Sequence, residues 1–170
     1  MELYQQKVKE YFINSGTMFT PIELASIEYA DFGLNQPEIE GLNLIVYENN
    51  DRYCAKEMIL LPGQTCPEHL HPHRGNQEGK METFRCRRGK VYLYVEGEPT
   101  MMTNRVPKGK EAYYTVFHEI TLEPGEQYTI LPNTKHWFVA GQEGAMISEF
   151  SSNSDDASDI FTDPHIRRVQ

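Results

Sequence analysis

Apolar residues at Tyr4, Val8, Tyr11 and Phe12 follow the i, i+4, i+7, i+8 spacing that lines one face of a helix, so the first dozen residues predict an amphipathic helix. A second helix is signposted by Thr20 as cap, Pro21 in the first turn and Glu23 completing a capping box, with Gly33 as its stop. From about residue 42 the period changes to that of strands. The runs "LNLIVYE", "RYCAKEMILL", "METFRCR", "KVYLYVE", "YYTVFHEITL", "QYTILP", "KHWFVA" and "AMISEFS" are separated by breaks such as "ENND", "PGQ", "EPGEQ" and "AGQEGA". Strands this short and this numerous predict an all-β sandwich or barrel. The 170 residues suffice for a single domain, divided into a helical extension over 1–35, a barrel over 42–150 and a polar tail over 151–170 containing "SSNSDDASD".

Alternate side chains of a strand face the same side, which sorts the titratable residues. His69 and His71 point one way in an extended segment, and Lys80, Glu82 and Phe84 share a face on the next. His136, Phe138 and Ala140 share another, as do Ala145, Ile147 and Glu149. If these faces line one interior, imidazoles and carboxylates converge among apolar side chains. Unpaired buried charge is costly and a metal cation is the simplest partner, so the pattern predicts a metal site. Other residues carry less. His118 falls in phase with Val116, Ile120 and Leu122 and reads as a hydrogen-bonded core residue, while Trp137 points away from His136 and reads as packing. Tyr92 and Tyr94 alternate with Val91, Leu93 and Val95, so one set is core.

Composition excludes several partners. With 16 basic against 25 acidic residues the formal charge is −9, which opposes binding to nucleic acid or to anionic membranes. No stretch approaches the roughly 20 apolar residues that span a bilayer, and a soluble, cytoplasmic protein is expected. Cys54, Cys66 and Cys86 form an odd set without a CxxC pair, which suits reduced thiols.

The spacing around the histidines sharpens the picture. Gly63, five residues, His69, His71, then Glu82, six residues and Gly89 form one set, and Gly125, Pro132 and His136 a second. This resembles the cupin superfamily, whose motifs are G-x5-H-x-H-x(3,4)-E-x6-G and G-x5-P-x-G-x2-H, and implies a cupin-type antiparallel jelly-roll barrel with N-terminal helices. Two departures stand out: ten residues separate His71 from Glu82, and Pro132 lies one residue late, with Thr134 near the second glycine's place. The first leaves Glu78 and His73 as rival ligands, and Glu82 is preferred because it alone keeps the step to Gly89. Three imidazoles and one carboxylate without thiolate suit manganese(II), iron(II), cobalt(II), nickel(II) or zinc(II). Residues 72–81 read equally as a lid or a passive surface loop.

Within the cupins, "GKMETFRCRRG" and "ISEFSSNSDDASDIF" resemble the D-lyxose isomerase family, more loosely from about Thr20 to Arg168. The resemblance implies interconversion of D-lyxose and D-xylulose, usually with manganese, and cupins are often homodimers. On that reading Glu149 carries the proton between C2 and C1, Lys80 donates to the O1 or O2 oxygen, and Arg85 and Asp159 hold sugar hydroxyls. A cupin iron(II) dioxygenase and a non-catalytic sugar-binding or regulatory cupin are the alternatives.

Overall fold

Alternation from residue 42 onward is realised as antiparallel strands curled around one apolar interior, in a computed structural model that describes residues 1–100 and 105–168. The strands are β1 (Glu28–Ala30), β2 (Leu42–Asn49), β3 (Cys54–Leu60), β4 (Thr65–Leu70), β5 (Glu82–Val95), β6 (His118–Leu122), β7 (Gln127–Ile130), β8 (His136–Ser151) and β9 (Ile160–Phe161). They join into one nine-stranded sheet, with the path β1-β2-β3-β8-β4-β9 and β5 pairing β6, β7 and β8. β8 is the spine. β5 follows one of its edges from Glu82↔Ser151 to Val95↔His136, whereas β3 and β4 divide the other, β3 near Ser151 and β4 near His136. Two strands sharing one edge of a third roll the sheet up, and the result is the expected all-β cupin-type barrel.

Two expected breaks are absent. "METFRCR" and "KVYLYVE" run together in β5, and "KHWFVA" and "AMISEFS" in β8, with "AGQEGA" inside the strand. Bulges take the place of turns: the register of β5 on β8 shifts between Cys86 and Arg88 and between Gly89 and Val91, which bends the pair around a corner. Gly89 is needed there, with φ of +73° and the Gly144 carbonyl oxygen 2.0 Å from where a Cβ would stand. Gly89→Ala should therefore cost at least about 2 kcal/mol, from left-handed strain and displaced backbone together. A urea titration should show a lower midpoint at unchanged slope, and an unmoved midpoint would mean the corner relaxes freely.

β4 has no counterpart among the sequence-predicted strands because Pro67 interrupts it. The missing N–H coincides with the register shift between Cys66 and His69. The second helix is also shorter than predicted. α1 (Glu2–Ile13) forms as expected, burying Tyr4, Val8 and Phe12, and α2 (Pro21–Ala25) has its capping box, with Thr20 N donating to Glu23 Oε2 at 2.7 Å. α2 stops at Ser26, whose hydroxyl donates back to the Glu23 carbonyl at 2.9 Å. Strand pairing of residues 28–30 with β2 then wins over helix extension, and Gly33, with φ of +72°, turns the chain after β1 instead.

The core has an inside and two outer layers. Leu44, Met58, Leu60, Phe84, Leu93 and Phe138 fill the barrel among others. α1 packs Tyr4, Val8 and Phe12 on the sheet's outer face against Ile45, Ile59, Leu61 and Met146. Elsewhere on the outside Trp137 stacks on Tyr94 at 3.9 Å and donates its Nε1–H to the Val116 carbonyl at 2.8 Å, the packing role its parity predicts. Val91, Leu93 and Val95 supply the inner set opposite Tyr92 and Tyr94. Cys54, Cys66 and Cys86 are buried free thiols, and no helix among the described residues is long and apolar enough to cross a membrane.

Candidate active site

Strand register brings the histidines together. His69 on β4 pairs with His136 at the start of β8, and His71 follows β4 with the parity of His69. All three are buried, with ring centroids 5.0, 4.3 and 5.4 Å apart. Each Nδ1 already has a partner: the Pro67 carbonyl for His69 at 2.7 Å, the Thr134 carbonyl for His136 at 2.9 Å, and Asp159 Oδ1 for His71 at 2.6 Å. A carbonyl only accepts, so Nδ1 of His69 and His136 bears the hydrogen and Nε2 the lone pair. Ligand nitrogens of the three lie within 4.8 Å of one another.

Glu82, at the start of β5, completes the group. Its Oε1 is 3.2 Å from His71 Nε2 and 3.0 Å from His136 Nε2. The second approach sets a lone pair against a carboxylate oxygen, and His136 Nε2 is buried without a hydrogen-bond partner among the described residues. Two acceptors held face to face in a dry interior fit a cation between them. Electrostatics agree. Burial holds His69 well below the usual imidazole value, with His136 and His71 adding to it. Burial opposes charge on His71 too, yet the Glu82 carboxylate and the Asp159 hydrogen bond outweigh it and push this imidazole up to about 9. A proton and a divalent cation thus compete for the same carboxylate-lined group.

Beside it lies a buried charge ladder. Lys80 Nζ bridges Glu82 Oε2 at 2.7 Å and Glu149 Oε1 at 2.6 Å, and all three side chains are at most 5% exposed. Burial would pull the ammonium's pKa down, but the Glu149 and Glu82 carboxylates more than offset it and raise it well above the ordinary lysine value. Glu149 Oε1 also accepts from Ser151 at 3.1 Å and lies 3.9 Å from Lys56 Nζ. Lys56 in turn reaches Asp156 at 3.3 Å, and Asp156 accepts from Arg168 Nη2 at 3.0 Å. Ser151 apart, these groups line one cavity together with His69 and His71, and Leu44, Met58, Phe84 and Phe138 supply apolar parts of its wall. Its empty space is about 400 Å³, open solvent at the mouth included.

The sequence-predicted residues fare unequally. His69, His71, Glu82, Lys80 and Glu149 line this cavity and His136 joins them through Nε2, 3.0 Å from Glu82 Oε1, while the buried position of Lys80 replaces the solvated one usual for a lysine beside glycine. Gly79 makes that possible, because a Cβ there would stand 2.1 Å from the His71 carbonyl oxygen. The rivals His73 and Glu78 are exposed in the intervening loop. Asp159 lines the cavity and orients the His71 ring by accepting from Nδ1 at Oδ1. Arg85 is a correction: one position out of phase with Glu82 and Phe84, it lies on the outer face and donates to Gln127 Oε1 at 3.0 Å. Lys56, Asp156 and Arg168 are the cavity residues sequence reasoning missed. Lys56 alternates in phase with Met58 and Leu60, a signal that was present, whereas the tail residues have no periodicity to read.

Comparison with known proteins places this geometry. A family model described as D-lyxose isomerase matches residues 28–170. The D-lyxose/D-mannose isomerase of Thermosediminibacter oceani is 64% identical over 97% of this chain and 92% of its own. The D-lyxose ketol-isomerase of Cohnella laeviribosi is 61% identical over 97% of this chain and 91% of its own. Among solved structures, L-ribose isomerase of Acinetobacter sp. DL28 in complex with L-ribose superposes with a TM-score of 0.80 at 15% identity, covering 97% of this chain and 92% of that one, a likeness of fold. Matched along nearly its whole length by relatives above 60% identity, the chain belongs to the D-lyxose isomerase family of aldose–ketose isomerases.

Proposed function

We propose that this chain interconverts D-lyxose and D-xylulose, with a divalent cation held by His69, His71, Glu82 and His136. The names of the two relatives support the substrate. Manganese(II) is the cation assigned by family resemblance, and iron(II), cobalt(II), nickel(II) and zinc(II) suit the same donors. When bound, the cation supplies Lewis-acid stabilisation to negative charge developing on the sugar oxygens.

The protein's own groups then move the protons. Glu149 removes the proton from C2, the C2–H electron pair becomes the C1=C2 bond, and the C1 carbonyl pair moves to O1, which takes a proton from Lys80. Glu149 returns its proton to C1 while Lys80 recovers one from the O2 hydroxyl, which leaves the ketone at C2. Lys80 suits the donor role because its two carboxylate partners keep the buried ammonium protonated. Ser151 and Lys80 both engage Oε1 of Glu149, so Oε2 is the oxygen assigned to the substrate.

The observation that carries this reading is the adjacency of two acids with different partners: Glu82 against imidazoles, Glu149 against lysine, in one cavity. The test is metal analysis of the purified protein together with incubation with D-lyxose under an oxygen electrode. Xylulose formation without oxygen uptake, lost on chelation and restored by manganese, is expected. Oxygen consumption, or sugar binding with no turnover, would sink the assignment.

A further inference from the structure

Arg168 lines the cavity and carries an unused donor. Its side chain is 10% exposed, and Nη2 is held by Glu28 Oε1 at 2.6 Å and Asp156 Oδ2 at 3.0 Å. Nη1, by contrast, is buried without a hydrogen-bond partner among the described residues. A buried guanidinium N–H left unpaired costs free energy that the fold has no structural reason to retain, since Arg168 is already anchored through its other nitrogen. Its place in the cavity says which part of a ligand would meet it. Between Arg168 and Glu149 stand Asp156 and Lys56, linked by contacts of 3.0, 3.3 and 3.9 Å. Lys56, Asp156 and Arg168 also line an outer depression of about 380 Å³ bordered by Glu28, Val46 and Asn49. Arg168 therefore stands where the cavity meets the surface, at the far end of the charge ladder from Glu149.

Building on the isomerase reading, we propose that Arg168 is a substrate-binding residue whose Nη1 donates to a hydroxyl at the end of the sugar remote from C1 and C2, with Asp156 and Glu28 fixing the guanidinium's orientation. Nothing in the proton transfers requires this contact, so it acts on binding and on the choice between sugars. A site built to hydrogen-bond a hydroxyl discriminates against an analogue that lacks it, because the buried donor is then left unpaired. The tail that reads from sequence as a polar appendage thereby supplies part of the specificity.

The test compares D-lyxose with 5-deoxy-D-lyxose in the wild type, Arg168→Met and Arg168→Lys. Wild-type turnover of D-lyxose, measured first, bears on the isomerase reading alone, and the comparison among variants bears on Arg168. In Arg168→Met, KM for D-lyxose should rise about tenfold or more with kcat within about threefold, the loss expected for one charge-assisted hydrogen bond. Wild-type preference for D-lyxose over the deoxy sugar should collapse toward unity in that variant and be partly restored in Arg168→Lys. Metal content should be unchanged, and a thermal melt of each variant separates unfolding from lost binding. An unaltered KM in folded Arg168→Met, or a preference over the deoxy sugar that survives the substitution, would overturn the assignment.

Discussion

Glu149→Gln should lower kcat by about 10²–10⁴-fold, the range for removing a positioned acid–base group, while metal stoichiometry stays that of the wild type. The substitution is close to isosteric, and an amide oxygen can still accept from Lys80 and Ser151, which Glu149 Oε1 meets at 2.6 and 3.1 Å. What it cannot do is take a proton from carbon. The decisive measurement is wash-out of deuterium from C2 of labelled D-lyxose, followed by NMR in the presence of saturating metal. Wild type should exchange as it turns over, and the variant should retain its label even where sugar binding is unimpaired. Normal exchange in Glu149→Gln would move the base elsewhere in the cavity.

The meeting of His69, His71, Glu82 and His136 was legible in the sequence because strand parity is a local rule with a distant consequence. Glu82 and His136 sit in strands whose inward residues are largely apolar, and His69 and His71 share a parity of their own, so alternation sets all four toward one interior. The same rule, applied one residue along, already separates Arg85 from Glu82. Turn residues were harder to read. Glycines in "AGQEGA" and at Gly89 look like chain breaks, yet they serve a bulged corner in two continuous strands, and glycine's freedom is the same in both settings. Likewise the capping box at Thr20 fixes where α2 begins but not its length, which strand pairing at 28–30 decides. Asp156 and Arg168, unlike Lys56, lie beyond such reasoning for another cause. Asp156 meets Lys56 across 100 residues of chain and Arg168 across 12, in a tail with no sustained strand or helix to read, and only the closed barrel brings it to Lys56.

That closed barrel holds Lys80 as a buried charge between two buried carboxylates. Lys80→Met keeps the length and apolar stem of the side chain but removes the ammonium from between Glu82 and Glu149, which approach it at 2.7 and 2.6 Å. Both carboxylates remain buried, and neither has another lysine at comparable range: Lys56 lies 3.9 Å from Glu149 and is already engaged by Asp156 and Ser154. Breaking a buried pair on one side typically costs about 3–5 kcal/mol, because the remaining charge is stranded rather than because the pair was strongly stabilising. For a chain of this length that is a fall in Tm on the order of 10 °C. If stranded charge is the cause, neutralising one carboxylate must relieve it. Lys80→Met should then be less damaging in a Glu149→Gln background than in the wild type, with a coupling of about 1–3 kcal/mol between the two sites. Urea unfolding of the four proteins, all stripped of metal, measures this directly. Strict additivity would show that Lys80 stabilises the fold through the packing of its stem, and would remove the electrostatic ground for casting it as the proton donor beside Glu149.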